Sequence, residues 1–186
     1  MLSTTDAIVL SLQPQSDKAH VLHAYTRAGG RVNYKVYGLG RKNSAEKYSP
    51  LSIVQLATDE HSVRTAQLMF VPRTLTSDPY KRTIALFLSE VLYHVLRHPM
   101  QDEPMYDFIV QAVEQLDQTD EPQNFHLQFL VEFAAKLGFA MEKTPSLPCT
   151  REERQKVLRA LCTYFEEHVE TWQNPKSLDI LMEVFD

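Results

Sequence analysis

Cysteine is scarce in this sequence. Only Cys149 and Cys162 occur, 13 positions apart and without a CxxC spacing, which excludes a disulfide framework and a four-cysteine zinc site. Both are expected as reduced thiols, with Cys162 in the core. Long apolar runs are missing too: the longest, Ile84 to Leu88, has five residues, against the roughly 20 needed to cross a bilayer. No membrane span is expected. The first basic residue is Lys18, Asp6 precedes it, and no sustained apolar block follows, so neither is a secretory signal. The expected location is cytoplasmic.

Glycine is limited to five residues, and the loops that grip nucleotide phosphates depend on glycine. Gly38 and Gly40 form a G-x-G with no third glycine and no helix opening after it. There is no GxxxxGK[ST] loop, no nucleophile elbow and no carboxylate pair of the kind a nuclease uses. An enzyme is not expected, and neither is a cofactor. His94 and His98 have i, i+4 spacing on the first expected helix, with Asp102 and Glu103 beyond. Positions 95 and 96 are Val and Leu, so the glutamate of HExxH is absent. A histidine pair near a helix C-terminus, favoured by the helix dipole, is the simpler expectation, and no metal is assigned. Ser89, Glu90, Glu152, Glu153, Glu166 and Glu167 are expected on solvated faces.

What the chain does have is enough apolar material for a core: 44% of its 186 residues are hydrophobic, sufficient for one large domain or two small ones. Its formal net charge of −5 is unevenly spread. Residues 1–80 carry nine Lys and Arg against six Asp and Glu, and residues 81–186 carry ten against 18. The positive half has one dense segment, "TRAGGRVNYKVYGLGRKNSAEK". It holds Arg27, Arg31, Lys35, Arg41, Lys42 and Lys47 against the single acid Glu46, with Tyr34, Tyr37 and Tyr48 in or beside it. Because local fields act over about a Debye length, roughly 8 to 10 Å, an acidic protein can still attract nucleic acid through such a cluster.

The apolar period changes near Asp78-Pro79. Before it, "TTDAIVLSL", "AHVLHAYT" and "RVNYKVY" alternate with period near 2, which predicts strands. In the third, Val32, Tyr34 and Val36 share one face, and Arg31, Asn33, Lys35 and Tyr37 the other. "RAGGRV" supplies a glycine pair for a hairpin. Two more strands, about 51–58 and 63–70, flank "DEHS". Five short strands with no helix to cover them predict a small closed or nearly closed barrel.

After it the period is helical. Asp78 and Pro79 open a first helix with Ile84, Phe87, Leu88, Val91, Leu92 and Val95 on one stripe. A second follows Pro104 and buries Met105, Phe108, Ile109, Ala112, Val113 and Leu116. A third runs from Pro122 to Leu137 and stops at Gly138. Thr150 and Glu153 form a capping box for a fourth, burying Val157, Leu158, Leu161, Phe165 and Val169. A short last helix carries Leu178, Leu181, Met182 and Phe185. The fold class is therefore α+β, a β-barrel followed by an all-α domain. Small barrels that bind single strands pair a cationic track with aromatic platforms, and this segment has both ingredients. Solvated charges on a half-exposed sheet would read the same way.

The chain resembles the RecO family of bacterial recombination mediators and DNA repair proteins. The resemblance rests on "TDAIVL", "YTRAGGRVNYKVYGLGRKNS", "SPLSIVQL" and "DPYKRTIALFLSEVLYHVLRH", with "NFHLQFLVEFAAKLGF" and "KSLDILMEVF" in the helical part. It implies an OB-fold DNA-binding domain over residues 1–76 and a helical domain over 77–186. It implies binding of single- and double-stranded DNA, annealing of complementary strands and, with RecR, help to RecA in displacing the single-strand-binding protein SSB. It implies a cytoplasmic protein associated with the nucleoid during repair. Arg27, Arg31, Lys35, Tyr37, Arg41 and Lys42 fall on the family's basic strand and loop, the implied DNA track. A groove in the helical half would take SSB's acidic, apolar-ended tail, with Arg97 and Lys136 as its bases. Two departures stand out: family members are commonly longer between the third and fourth helices, where this chain has only "AMEKTPSLPCT", and some carry four zinc-binding cysteines there, where it has Cys149 alone. The competing class is a protein-interaction adaptor that binds no DNA.

Overall fold

The computed structural model describes residues 2–39, 46–146 and 150–184. Five antiparallel strands come first: β1 (Ser3–Ser16), β2 (Ala19–Thr26), β3 (Gly30–Tyr37), β4 (Ile53–Thr58) and β5 (Val63–Leu68). Their order across the sheet is β3-β2-β1-β4-β5. The long first strand pairs with β2 from Ala7 to Ser16 and with β4 from Ser3 to Ile8. The sheet does not close into a continuous ladder. Its two edges meet at one parallel bridge, Lys35 with Ser62, where the Lys35 N–H donates to the His61 carbonyl at 2.8 Å. This is the small, nearly closed barrel that the alternation predicts, OB-like as the family resemblance implies.

Alternation explains the interior. Ala7, Val9, Leu22, Ala24, Val36, Val54, Leu56 and Val63 fill it with Tyr48, and Tyr34 packs against it partly buried. Ile8 and Tyr25 belong to the opposite face, paired with each other across β1 and β2, yet they are 0% and 3% exposed. A cover therefore lies on that end of the outer face.

The helices are α1 (Pro79–Val95), α2 (Glu103–Gln118), α3 (Phe125–Lys136), α4 (Arg151–His168) and α5 (Leu178–Val184). Asp78 caps α1 through the N–H groups of Tyr80 and Lys81, and Thr150 and Glu153 form the expected capping box on α4. The first three residues of the expected third helix form a 3-10 turn, Pro122–Asn124. Phe185, counted inward, lies outside the described residues.

Contacts divide the chain into two compact units, one of residues 1–72 with 96–113 and the other of 73–95 with 114–186. The sequence boundary near residue 76 stands beside the first change, and residues 96–113 return to the barrel's unit. Within the second unit the apolar stripes of α1, α3 and α4 are buried, and Phe133, Phe165 and Trp172 form a chain of ring contacts at 5.9 and 5.1 Å.

Two expectations change. Helix α1 ends at Val95, so His94 and His98 are not on one helix, and among the described residues no group of three His, Cys, Asp or Glu could hold a metal ion. Ser89 is not solvated, and Glu90 is only partly so. Ser89 is 1% exposed and donates to the Leu86 carbonyl, and the Glu90 carboxylate accepts from Ser177 N–H and Oγ at 3.0 and 2.7 Å, tying the lead-in to α5. Both stand beside core positions on a stripe wider than six residues would make it.

Candidate nucleic-acid interface

The β2–β3 hairpin sets the site. Its register pairs Ala19 with Tyr37, Val21 with Lys35, His23 with Asn33 and Tyr25 with Arg31. Directly opposed residues point to the same side, so these eight form the outer face, and Leu22, Tyr34, Ala24 and Val32 turn inward. The reading of Val32, Tyr34 and Val36 as the inner set of β3 holds.

The three tyrosines have three fates. Tyr48 is buried in the barrel, and burial pushes its phenol pKa up. Tyr34 lies against the core. Tyr37 is 56% exposed, and its side chain has no hydrogen-bonding partner among the described residues.

The bases also divide. Lys35 is exposed with no side-chain partner among the described residues. Lys47 donates to the Ala66 carbonyl at 2.9 Å, fastening the 3-10 turn Glu46–Tyr48 to β5. Arg31 sends Nη1 toward the Leu96 carbonyl at 3.4 Å, and its own N–H donates to His98 O at 3.2 Å. Arg27 pairs with Asp107 at 2.6 Å and lies 4.5 Å over the Tyr106 ring. That carboxylate, more than any other neighbour, raises the Arg27 pKa. Arg41 and Lys42 lie outside the described residues.

These contacts identify the cover over Ile8 and Tyr25. Residues 96–100 cross the start of β3, and the first turns of α2 follow, with Met105, Tyr106 and Ile109 buried. The crossing is close. At Gly30, φ is +63°, and a Cβ would strike the Met100 carbonyl oxygen and lie 2.8 Å from Met100 N and 2.9 Å from His98 O. Only glycine satisfies both the left-handed backbone and the space. Gly29, by contrast, leaves ordinary room at 3.5 Å.

On the remaining half of the outer face Asn33, Lys35 and Tyr37 are exposed among the described residues, and sequence reasoning missed part of it. His23 Nδ1 and Asn33 Oδ1 are 2.7 Å apart in its middle, and burial, more than the adjacent Arg31 charge, holds the His23 pKa below its usual value. Counting outward from the hairpin turn would have paired these two positions. Asp59 organises the β4–β5 turn by accepting from His61 N–H, Ser62 N–H and Ser62 Oγ and by pairing with Arg64. Those bonds, led by His61 N–H, drive its carboxyl pKa far down. They hold the turn whose His61 carbonyl receives Lys35 N–H.

Arg97 falls in the barrel's unit and Lys136, ending α3, in the helical unit. Neither unit holds both.

Three comparisons fix the family. Residues 76–144 match the model described as Recombination protein O C terminal. A protein of Phocaeicola vulgatus named DNA repair protein RecO is 34% identical over 148 residues, covering 74% of this chain and 61% of the relative. Proteins of the same name from Flavobacterium johnsoniae and Christiangramia forsetii align almost end to end, at 27% identity over 97% of the chain and 98% of the relative, and at 24% over all of both. The chain belongs to the RecO family.

Membership has a limit of length. The chain spans 61% of the first relatives it matches. In the alignment to the F. johnsoniae RecO, 232 positions exceed the 186 residues present, so that relative has stretches with no counterpart here. The C-terminal family model also stops at residue 144, ahead of α4. Among the described residues, no helix is long and apolar enough to cross a membrane.

Proposed function

We propose that this RecO-family chain binds single- and double-stranded DNA on the open outer face of β2 and β3 and anneals complementary strands without chemistry of its own. The observation that carries this is Lys35 and Tyr37 exposed side by side on an OB-like barrel, the face and fold that take oligonucleotides in other OB proteins. Lys35 meets phosphate, Tyr37 stacks a base, and Arg31, Arg41 and Lys42 extend the track along β3 and the following loop. Arg27, in the turn beyond Arg31, is paired with Asp107 and is not counted in the track. The basic face and the family together support a role as a mediator that works with RecR and helps RecA displace SSB, in the cytoplasm and at the nucleoid during repair.

The SSB tail is proposed for the helical unit, with Lys136 as a candidate base; Arg97 falls in the other unit. Room and charge are separate there. A cleft of about 290 Å³ lined by Leu127, Val131, Pro145 and Val157 includes Glu132, and a narrower one beside Leu158, Leu181 and Met182 includes Arg151 and Arg154.

Titration of a labelled single strand over a salt series tests the reading. Log affinity should fall with log salt by about 0.7 for each phosphate contacted, and annealing should proceed without ATP. Absence of binding at low salt leaves the protein-interaction adaptor as the better account.

A further inference from the structure

We propose that Asp107 withholds Arg27 from DNA and thereby sets where the track on β3 ends; this rests on the DNA-binding reading above. Arg27 stands in the β2–β3 turn, beyond Arg31 in the row that begins at Tyr37 and Lys35. Lys35 and Arg31 are four residues apart, roughly 13 Å along a strand, so an unengaged Arg27 would add one more phosphate contact at the turn.

It is engaged. Its guanidinium meets Asp107 at 2.6 Å and stacks over Tyr106 at 4.5 Å, and Glu103 adds a further attraction from the first turn of α2. The pair is not sealed away, because the two side chains are 38% and 50% exposed. A phosphate can therefore reach the guanidinium, and it competes with the carboxylate for the same donors. Asp107, Glu103 and Asp102 gather three carboxylates at the start of α2, where a strand continuing past Arg31 would arrive. They repel its next phosphate. Asp107 is a positioning residue: it fixes the orientation of Arg27 and closes that end.

Four versions of the full chain separate this from general charge effects: the parent, Arg27→Ala, Asp107→Asn and the double variant, each titrated with one labelled oligothymidine across a salt series. Arg27→Ala should bind within about twofold of the parent with the same slope. Asp107→Asn should bind about fivefold tighter at low salt, with a slope steeper by about 0.7 for the gained contact. The double variant should lose the whole gain. If Arg27→Ala weakens binding by more than about twofold or flattens the slope, Arg27 already touches DNA and the proposal fails. It fails equally if the gain of Asp107→Asn survives in the double variant or leaves the slope unchanged, since removing a negative charge alone does that. Thermal unfolding checks each fold, and Asp107→Ser offers a second route to the same release. A parent that binds no DNA at all removes the underlying reading as well, an outcome distinct from each of the others.

Discussion

In the barrel's unit, the side chains of Lys35 and Tyr37 stand exposed with no hydrogen-bonding partner among the described residues. In the helical unit several polar side chains are drawn inward. Asp117, 3% exposed, accepts from the N–H groups of Arg73, Thr74 and Leu75 at 2.7 to 2.9 Å. Lys81, also 3% exposed, donates to Thr74 Oγ1 and to the Asp117 carbonyl at 2.6 and 2.8 Å, and Glu90 ties the lead-in to α5. Arg151 reaches the Met182 carbonyl at the end of α5. Buried polar groups must be satisfied, and these satisfy backbone ends. An exposed charge whose side chain has no partner among the described residues has no such duty, which is why nucleic-acid recognition is proposed for the barrel and architecture for the helices.

Breaking the helical side of that contrast should have the largest effect. Asp117→Ala strips the acceptor from three backbone N–H groups and leaves the Lys81 ammonium buried beside them, an expected loss of about 3 to 5 kcal/mol in denaturant unfolding. Asp117→Asn keeps one acceptor oxygen and should lose less.

Next comes charge reversal on the barrel. Lys35→Glu with Arg41→Glu should weaken single-strand binding by more than tenfold, over about 1.4 kcal/mol, and flatten the salt slope. The matched control is Lys156→Glu with Arg159→Glu on the exposed side of α4. Arg151 and Arg154 would be poor controls, since Arg151 holds the end of α5. Equal losses from both pairs would erase the distinction between the units.

Tyr37→Ala sharpens it further by removing a ring and no charge. A loss of about 1 to 3 kcal/mol in binding with an unchanged salt slope is expected if a base stacks there. An altered slope would instead show that the ring positions a cation.

The most gradual effect is in pH. Burial, with a lesser contribution from Arg154, pushes the His126 pKa down to about 3, from an ordinary value near 6.5. As pH falls below about 6.5 the unfolded chain binds a proton that the native chain refuses, so stability is full above that value and declines through the window down to about 3. The slope should be roughly 1 kcal/mol per pH unit, read as a falling thermal midpoint between pH 7 and 5. His126→Phe should flatten it if the variant folds. Asp117 titrates below the ordinary carboxylate range because backbone N–H groups, with Lys81 behind them, outweigh its burial; its contribution is present above about pH 4 and fades only below it.

How much of this was legible in the sequence varied with the range of the cause. Period-2 alternation located all five strands, and the capping residues Asp78 and Thr150 located two helix starts, because those signals lie within a few residues of what they specify. The inner set of β3 followed from the same alternation. The fates of Arg27, Arg31 and Lys47 did not, because each is decided by a partner 19 to 80 positions away. Glu90 was read as solvated for the same reason: its partner, Ser177, is 87 positions distant. A cluster of six bases is visible in one dimension, but which of them remain available is settled only by what folds against them.

The close passage of Met100 over Gly30 also imposes an order on synthesis. The barrel's unit is not finished when its last strand is made at Leu68, because residues 96–113 belong to it. At roughly 5 to 20 residues per second on a ribosome, the stretch from 72 to 113 takes about 2 to 8 seconds to appear, and α1 is completed within that interval. Until then Ile8 and Tyr25 have no cover and Gly30 has nothing crossing it. A nascent chain at that stage exposes an apolar patch beside its basic strand, and a barrel cut at residue 76 would keep that patch permanently, as a target for chaperones or for other copies of itself.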